Sequence, residues 1–262
     1  MKQIICLLLI CLSVFAFTAC KDEPTPTPEP APAPEKVYLV GSKGPTGGYI
    51  FYDCDADNDS GNADGLKSSE CGWRYLEAAP YDLVLIDGVP TIDANATGYS
   101  EGTSEFLFGY YRTTDDGPNL YVNGTAVYNA EDCTRTEAGT GENNTKLLVE
   151  KMGAAAYSAS TGSDKTGNYA ARLCDILTYT VDGVTYDDWF LPSLDELKLM
   201  YVLLKARGTG IGGFANAKYK ASSEYSTVNN SWHFNFENGA LANTYTRYFF
   251  DGLRIRPARA FK

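Results

Sequence analysis

The chain has 262 residues, 44% of them hydrophobic and 13% aromatic, with a formal net charge of -11 at pH 7. That is enough apolar material for a sizeable core. The acidic balance excludes nucleic acid, and any polyanion held by bulk charge, because like charges repel.

Met1-Lys2 and the apolar run Ile4 to Phe17 read as a signal peptide over residues 1–19; the run is too short for a comfortable transmembrane helix. Phe17-Thr18-Ala19-Cys20 resembles a bacterial lipobox, with Phe17 in the usual Leu position. The resemblance implies cleavage before Cys20 and its lipidation; the alternative is a secreted chain cleaved nearby. Residues 20–36 place proline at nearly every second position from Pro24 to Pro34, which gives an extended polyproline II tether. Lys21-Asp22-Glu23 resembles the acidic tethers of surface-exported lipoproteins. The expected location is therefore the bacterial cell envelope, as an outer-membrane lipoprotein facing outward, with the lipid anchor as its membrane partner.

Residues 37–262 read as one domain. Asp-Gly and Asn-Gly pairs between apolar runs are strong hairpin signals. They occur at Asp87-Gly88, Asn123-Gly124, Asp182-Gly183, Asn238-Gly239 and Asp251-Gly252. Three helices are expected, at about 144–152, 168–177 and 193–207. The last has the clearest start. Pro192 keeps Leu191 out of the helical region, Ser193 is a good N-cap, and Glu196 completes the capping-box spacing. Leu194, Leu197, Met200, Tyr201 and Leu204 then form one apolar stripe. Residues 81–130 show no clean period.

Of seven cysteines, Cys6 and Cys11 lie in the signal and Cys20 at the anchor. Cys54, Cys71, Cys133 and Cys174 remain, an even set in an oxidising compartment, so two disulfides are expected among three connectivities. Cys54 and Cys71 flank one loop, which favours that pair and leaves Cys133 with Cys174. A zinc site is disfavoured by the single histidine and the lack of CxxC spacing. Free thiols are the other alternative.

Asp55, Asp57 and Asp59 have the oxygen spacing of a calcium loop. Ser60 and Leu66 stand where an EF-hand needs Gly and Glu, so this is not one. The segment is either a calcium site or a solvated acidic loop tied by Cys54–Cys71. Trp232, Phe234 and Phe236 alternate with polar residues, so the aromatics are expected inward and His233 outward. His233 alone makes neither a triad nor a metal site. Tyr245 and Tyr248 suit sugar stacking if exposed and a core if not. His233, Tyr245 and Tyr248 are the candidate ligand contacts. Arg254, Arg256 and Arg259 read as anion contacts or, preferably, as partners of acids such as Glu224 or Asp251. No phosphate loop, nucleophile elbow or paired catalytic carboxylate stands out, so no catalytic residue is assigned.

Several motifs in order resemble one family. They are Gly44-Pro45-Thr46-Gly47-Gly48-Tyr49-Ile50-Phe51-Tyr52, Gly72-Trp73-Arg74-Tyr75-Leu76-Glu77-Ala78-Ala79-Pro80, and Ala170-Ala171-Arg172-Leu173-Cys174. Asp187-Asp188-Trp189-Phe190-Leu191-Pro192-Ser193, Ser222-Ser223-Glu224-Tyr225 and Arg256-Pro257-Ala258-Arg259-Ala260-Phe261 follow. Together they resemble the Lcl C-terminal domain family, long called a domain of unknown function and named after a bacterial collagen-like adhesin. Lys220-Ala221 departs from the family, which commonly has an aromatic before the paired serines. The resemblance implies an α+β, C-type lectin-like fold: irregular antiparallel sheets, about three flanking helices, and first and last strands side by side. Leu191-Pro192-Ser193 is similar to the corresponding helix start in formylglycine-generating enzymes, whose catalytic cysteine pair has no counterpart here. The calcium–sugar motifs of animal lectins are missing too. The implied function is an adhesin-like binding module for a glycan or an extracellular protein. The namesake's sulfated glycans fit poorly with an acidic chain. An enzyme on the same fold, or a structural envelope lipoprotein, are the alternatives.

Overall fold

Two Asp-Gly pairs set up the sharpest turns of the fold. In the computed structural model, Asp87 and Gly88 have φ of 52° and 80°, and Asp182 and Gly183 have φ of 51° and 81°. Two successive positive values make a type I′ turn, whose twist matches the flanking strands. The structure describes residues 36–56, 68–94, 106–109, 111–157, 165–206, 210–243, 247 and 253–262, with only the backbone at Ser68 and Glu70. Val37–Lys262 form one unit, which is described by itself.

The elements in order are β1 (Tyr49–Asp53), α1 (Ser68–Cys71), β2 (Tyr75–Ala78), β3 (Leu83–Ile86), β4 (Val89–Ile92), α2 (Gly141–Met152), β5 (Ala156–Tyr157), β6 (Lys165–Thr166) and α3 (Ala170–Asp175). Then come β7 (Tyr179–Val181), β8 (Val184–Tyr186), β9 (Trp189–Phe190), α4 (Leu194–Met200), β10 (Lys218–Glu224), β11 (Ser231–Asn235), β12 (Ala240–Ala242) and β13 (Ala258–Phe261). A π-helical turn, Tyr201–Lys205, continues α4. The fold is α+β, with small antiparallel sheets, the three expected helices and the short α1. One sheet has the order β1-β2-β13-β9, a second β10-β11-β12, and three two-stranded hairpins stand apart. The C-terminal β13 thus fits between β2 and β9, in register with Tyr75–Ala78. The first and last strands were expected side by side; β2 lies between them.

The expected helix starts hold where local chemistry sets them. Ser193 Oγ accepts from Glu196 N at 3.3 Å, and Ser193 N donates to Glu196 Oε2 at 2.8 Å, a complete capping box. The stripe of α4 enters an apolar cluster with Phe51, Leu76, Phe190, Phe234 and Phe236. A second cluster gathers Phe108, Leu148, Leu173, Leu177 and Trp189 around α2 and α3. Each such side chain contributes about 1.5–3 kcal/mol by burial.

Two expectations are corrected. His233 does not face outward; it is 1% exposed. β11 is the middle strand of its sheet and both its faces are covered, so alternation does not separate core from solvent there. Burial, with Lys220 and Lys218 nearby, pushes His233 down to about 3 and keeps the ring neutral. The C-terminal arginines do pair with acids, but with different ones. Arg254 Nη1 and Arg256 Nε both reach Asp82, at 2.9 and 2.8 Å, and Arg259 spans Asp188 and Glu77. Glu224 instead binds Arg247, and Asp251 lies outside the described residues.

No bond joins Cys133 to Cys174. Cys133 Sγ accepts from Asn129 N at 3.5 Å in a loop, while Cys174 lies on the buried face of α3 in the apolar cluster. Cys54 and Cys71 are neighbours, with their Sγ atoms 2.9 Å apart and no covalent bond between them.

Gly48 precedes β1 where the chain passes close to β2. A Cβ there would collide with the Ala78 carbonyl oxygen and press on Glu77. Neither neighbour can yield, because Ala78 is in the ladder and Glu77 is 0% exposed and accepts from Thr46 Oγ1 at 2.7 Å. Gly48→Ala is expected to cost about 1–3 kcal/mol, as overpacking does. A chemical denaturation midpoint unchanged from wild type would refute this.

Candidate functional site

Residues 106–140 contain no strand or helix among the described positions, yet they are firmly held. Phe106, Leu107, Phe108, Tyr121, Val122, Cys133 and Thr134 are all buried. Irregular backbone can be buried only if its polar groups are satisfied. Here one strand residue does much of that. Glu224, the last residue of β10, accepts from Val122 N at 3.2 Å through Oε1 and from Thr134 N at 3.3 Å through Oε2. Its own N–H donates to Thr134 Oγ1 at 2.7 Å. The fully buried Arg247 guanidinium pairs with the same carboxylate and donates to Leu120 O at 2.7 Å and Val228 O at 3.3 Å. It also lies over the Phe108 ring, 4.9 Å from the centroid.

The exit of this layer is fixed in the same way. Asn144 of α2 accepts from Arg135 N at 2.8 Å and donates to Arg135 O at 2.7 Å and Ser222 Oγ at 3.1 Å. Ser223 Oγ donates to Arg135 O at 2.7 Å. Glu196, beyond its capping box, accepts from Gly139 N at 2.8 Å and Gly141 N at 3.2 Å. Two buried carboxyl side chains, with Asn144 and Ser223, therefore clamp a loop layer onto the frame.

What the layer presents outward is polar and aromatic. Asn123 Oδ1 accepts from Thr125 N at 2.9 Å and its Nδ2 donates to Asp132 Oδ1 at 3.1 Å, which shapes an exposed turn around the expected Asn123-Gly124. Tyr128 is half-buried, its ring edge to face on the buried Tyr121 with centroids 5.5 Å apart. Burial pushes the Tyr121 hydroxyl up to about 12. Asn119 donates to Asn229 in the β10–β11 turn. Tyr225 at the start of that turn and Trp232 in β11, both half-buried, stack edge to face at 4.8 Å. Amide groups beside partly exposed rings suit a ligand with both hydroxyls and apolar faces.

The sequence-derived candidates lie elsewhere. Cys20, Asp57, Asp59, Tyr245 and Tyr248 fall outside the described residues. Asp55 is exposed and sits 3.8 Å from Arg74 Nε. Among the described residues no group of three or more His, Cys, Asp or Glu is placed to hold a metal ion. A cavity of about 90 Å³ opens between α2 and the β8–β9 connection, lined by Glu142, Asp175, Asp187, Asp188 and Trp189 among others. Ligand pockets commonly measure about 300–1,000 Å³, so a sugar ring does not fit it. Glu224, Arg247, Asn119 and Asn229 were not singled out as site residues from sequence. The available signal was a carboxylate in a strand directly after two serines. No protein-family model matches the chain, and no curated protein and no solved structure is similar to it.

Proposed function

We propose that the chain is a lipid-anchored, outward-facing binding module, adhesin-like, that recognises a glycan or an extracellular protein. The reading takes the fold as C-type lectin-like and the chain as a relative of the Lcl C-terminal domains, on the motifs quoted above. The observation that carries it is the layer 106–140. Long stretches without secondary structure are uncommon in compact domains, and when ordered they are usually functional. Binding residues commonly sit on such loops over a rigid scaffold. Here the scaffold holds the layer with buried carboxylates and leaves amides and half-buried rings at its rim. The signal peptide, Cys20 and the proline tether would hold the domain away from the membrane.

The test is a glycan array and a panel of extracellular matrix proteins probed with residues 37–262. Binding is expected, and Tyr225→Ala should weaken it about tenfold, equivalent to about 1.4 kcal/mol. The circular dichroism of the variant should not change. No retained ligand, or a ligand indifferent to Tyr225 and Asn229 replacements, would defeat the reading.

A further inference from the structure

Cys54 directly follows β1, and Cys71 is the last residue of α1. The frame fixes the backbone at both cysteines. Cys54 N donates to Arg74 O at 2.8 Å, and Arg74 N donates to Phe261 O at 2.9 Å. The Arg74 guanidinium grips Asp53 at 2.9 and 3.2 Å. Cys71 Sγ reaches Trp73 O at 3.5 Å. On this backbone the two Sγ atoms already lie 2.9 Å apart. Two cysteines can be bridged only when their side chains converge without backbone movement, and these converge.

We propose that Cys54 and Cys71 are a disulfide-forming pair, oxidised by a disulfide-bearing thiol oxidant, whose bond staples the end of β1 to the segment that leads into β2. Cys71 is partly exposed and Cys54 has no exposed surface, so Cys71 reacts first. Its thiolate attacks one sulfur of the oxidant, forms a mixed disulfide and expels one thiol. The Cys54 thiolate then attacks the Cys71 sulfur, forms the Cys54–Cys71 bond and expels the second thiol. Two protein thiols are oxidised, one external disulfide is reduced, and the two expelled thiols take up the two protons. Burial first, then the adjacent Cys71 sulfur and the Asp55 and Asp53 carboxylates, pushes the Cys54 thiol up to about 12. Cys54 is thus the poorer first nucleophile, which agrees with Cys71 attacking the oxidant. Cys133 and Cys174 stay reduced, each buried in its own surroundings.

The full-length chain is treated with oxidised glutathione, alkylated under denaturing conditions and digested with trypsin. Cleavage after Lys67 separates the pair into peptides 44–67 and 68–74. The expected result is these two peptides joined by one disulfide, with Cys133 and Cys174 alkylated. Reduction should lower the melting temperature by about 5–10 °C. Cys54→Ser and Cys71→Ser should each melt like the reduced protein and ignore reductant. Recovery of both peptides alkylated, or linkage of either to Cys133 or Cys174, overturns the proposal. A wild-type melting temperature indifferent to reductant overturns the staple. Should a serine variant not fold, the peptide map of the wild type decides alone.

Discussion

Glu224→Ala is expected to cost the fold about 3–5 kcal/mol, because it leaves a buried guanidinium without its counter-charge. Glu224 and Arg247 side chains are both 0% exposed. The pair is also a joint between remote segments. Losing the carboxylate strands Val122 N and Thr134 N, which have no solvent to turn to. Each stranded polar group adds a desolvation cost of about 1–3 kcal/mol, offset in part by local rearrangement. For a domain of this size the melting temperature should fall on the order of 10 °C. The double variant Glu224→Leu, Arg247→Met should lose less than the two single losses added together, since it removes both charges at once. Thermal and urea unfolding of wild type, Glu224→Ala, Glu224→Leu, Arg247→Met and the double variant measure this. A Glu224→Ala protein within about 1 kcal/mol of wild type would place it among ordinary surface substitutions and end the argument that the loop layer is clamped from β10.

How far the sequence foretold these features depends on the range of the interaction. The start of α4 was legible because Ser193, Asp195 and Glu196 act within one turn. The Asp87-Gly88 and Asp182-Gly183 hairpins were legible because two residues decide a type I′ turn. His233 was misplaced because period two reports alternation along a strand, not whether the second face is covered. Only what packs on each face of the sheet answers that, and Ser231 and His233 on one face are as buried as Phe234 on the other. The charge pairing of Arg254 and Arg256 was legible as a class, since an acidic chain offers many partners. Their actual partner, Asp82, is 172 and 174 residues away along the chain, and no local pattern encodes such a meeting. The layer 106–140 was the least legible. Its order comes from Glu224, Asn144, Glu196 and Arg247, all beyond its own ends, and residues without regular structure leave no period to read. The candidate rim was therefore invisible, although its anchor stood in the Ser222-Ser223-Glu224 motif.

Glu196→Ala is expected to be more damaging at pH 5 than at pH 8, by about 3 kcal/mol. The carboxyl is fully buried between the beginnings of α2 and α4, and burial pushes it up from 4.5 to about 7. N–H donors of Ser193, Gly141 and Gly139 pull the other way but do not prevail. With the folded value above the unfolded one, the native protein keeps its proton over an interval in which the unfolded chain has released it. The group's contribution to stability is therefore full below about 4.5 and declines as pH rises to about 7, at about 1.4 kcal/mol per pH unit. His233 acts in the opposite sense. Its folded value is about 3 against 6.5, so its contribution is present above 6.5 and is lost as pH falls. Glu77, raised by burial, adds to the Glu196 trend. The wild-type profile will thus be flatter than either group alone, and only the difference between wild type and Glu196→Ala isolates the carboxyl. At every pH the variant also loses the acceptor of Ser193 N, Gly139 N and Gly141 N, although Ser193 Oγ still caps residue 196 N; each stranded N–H costs about 1–3 kcal/mol. Urea unfolding of both proteins at half-unit steps from pH 4.5 to 8 gives the difference curve. A curve that is level, or that grows toward pH 8, would mean that the three backbone donors and the two helix ends hold Glu196 as a carboxylate in the folded state.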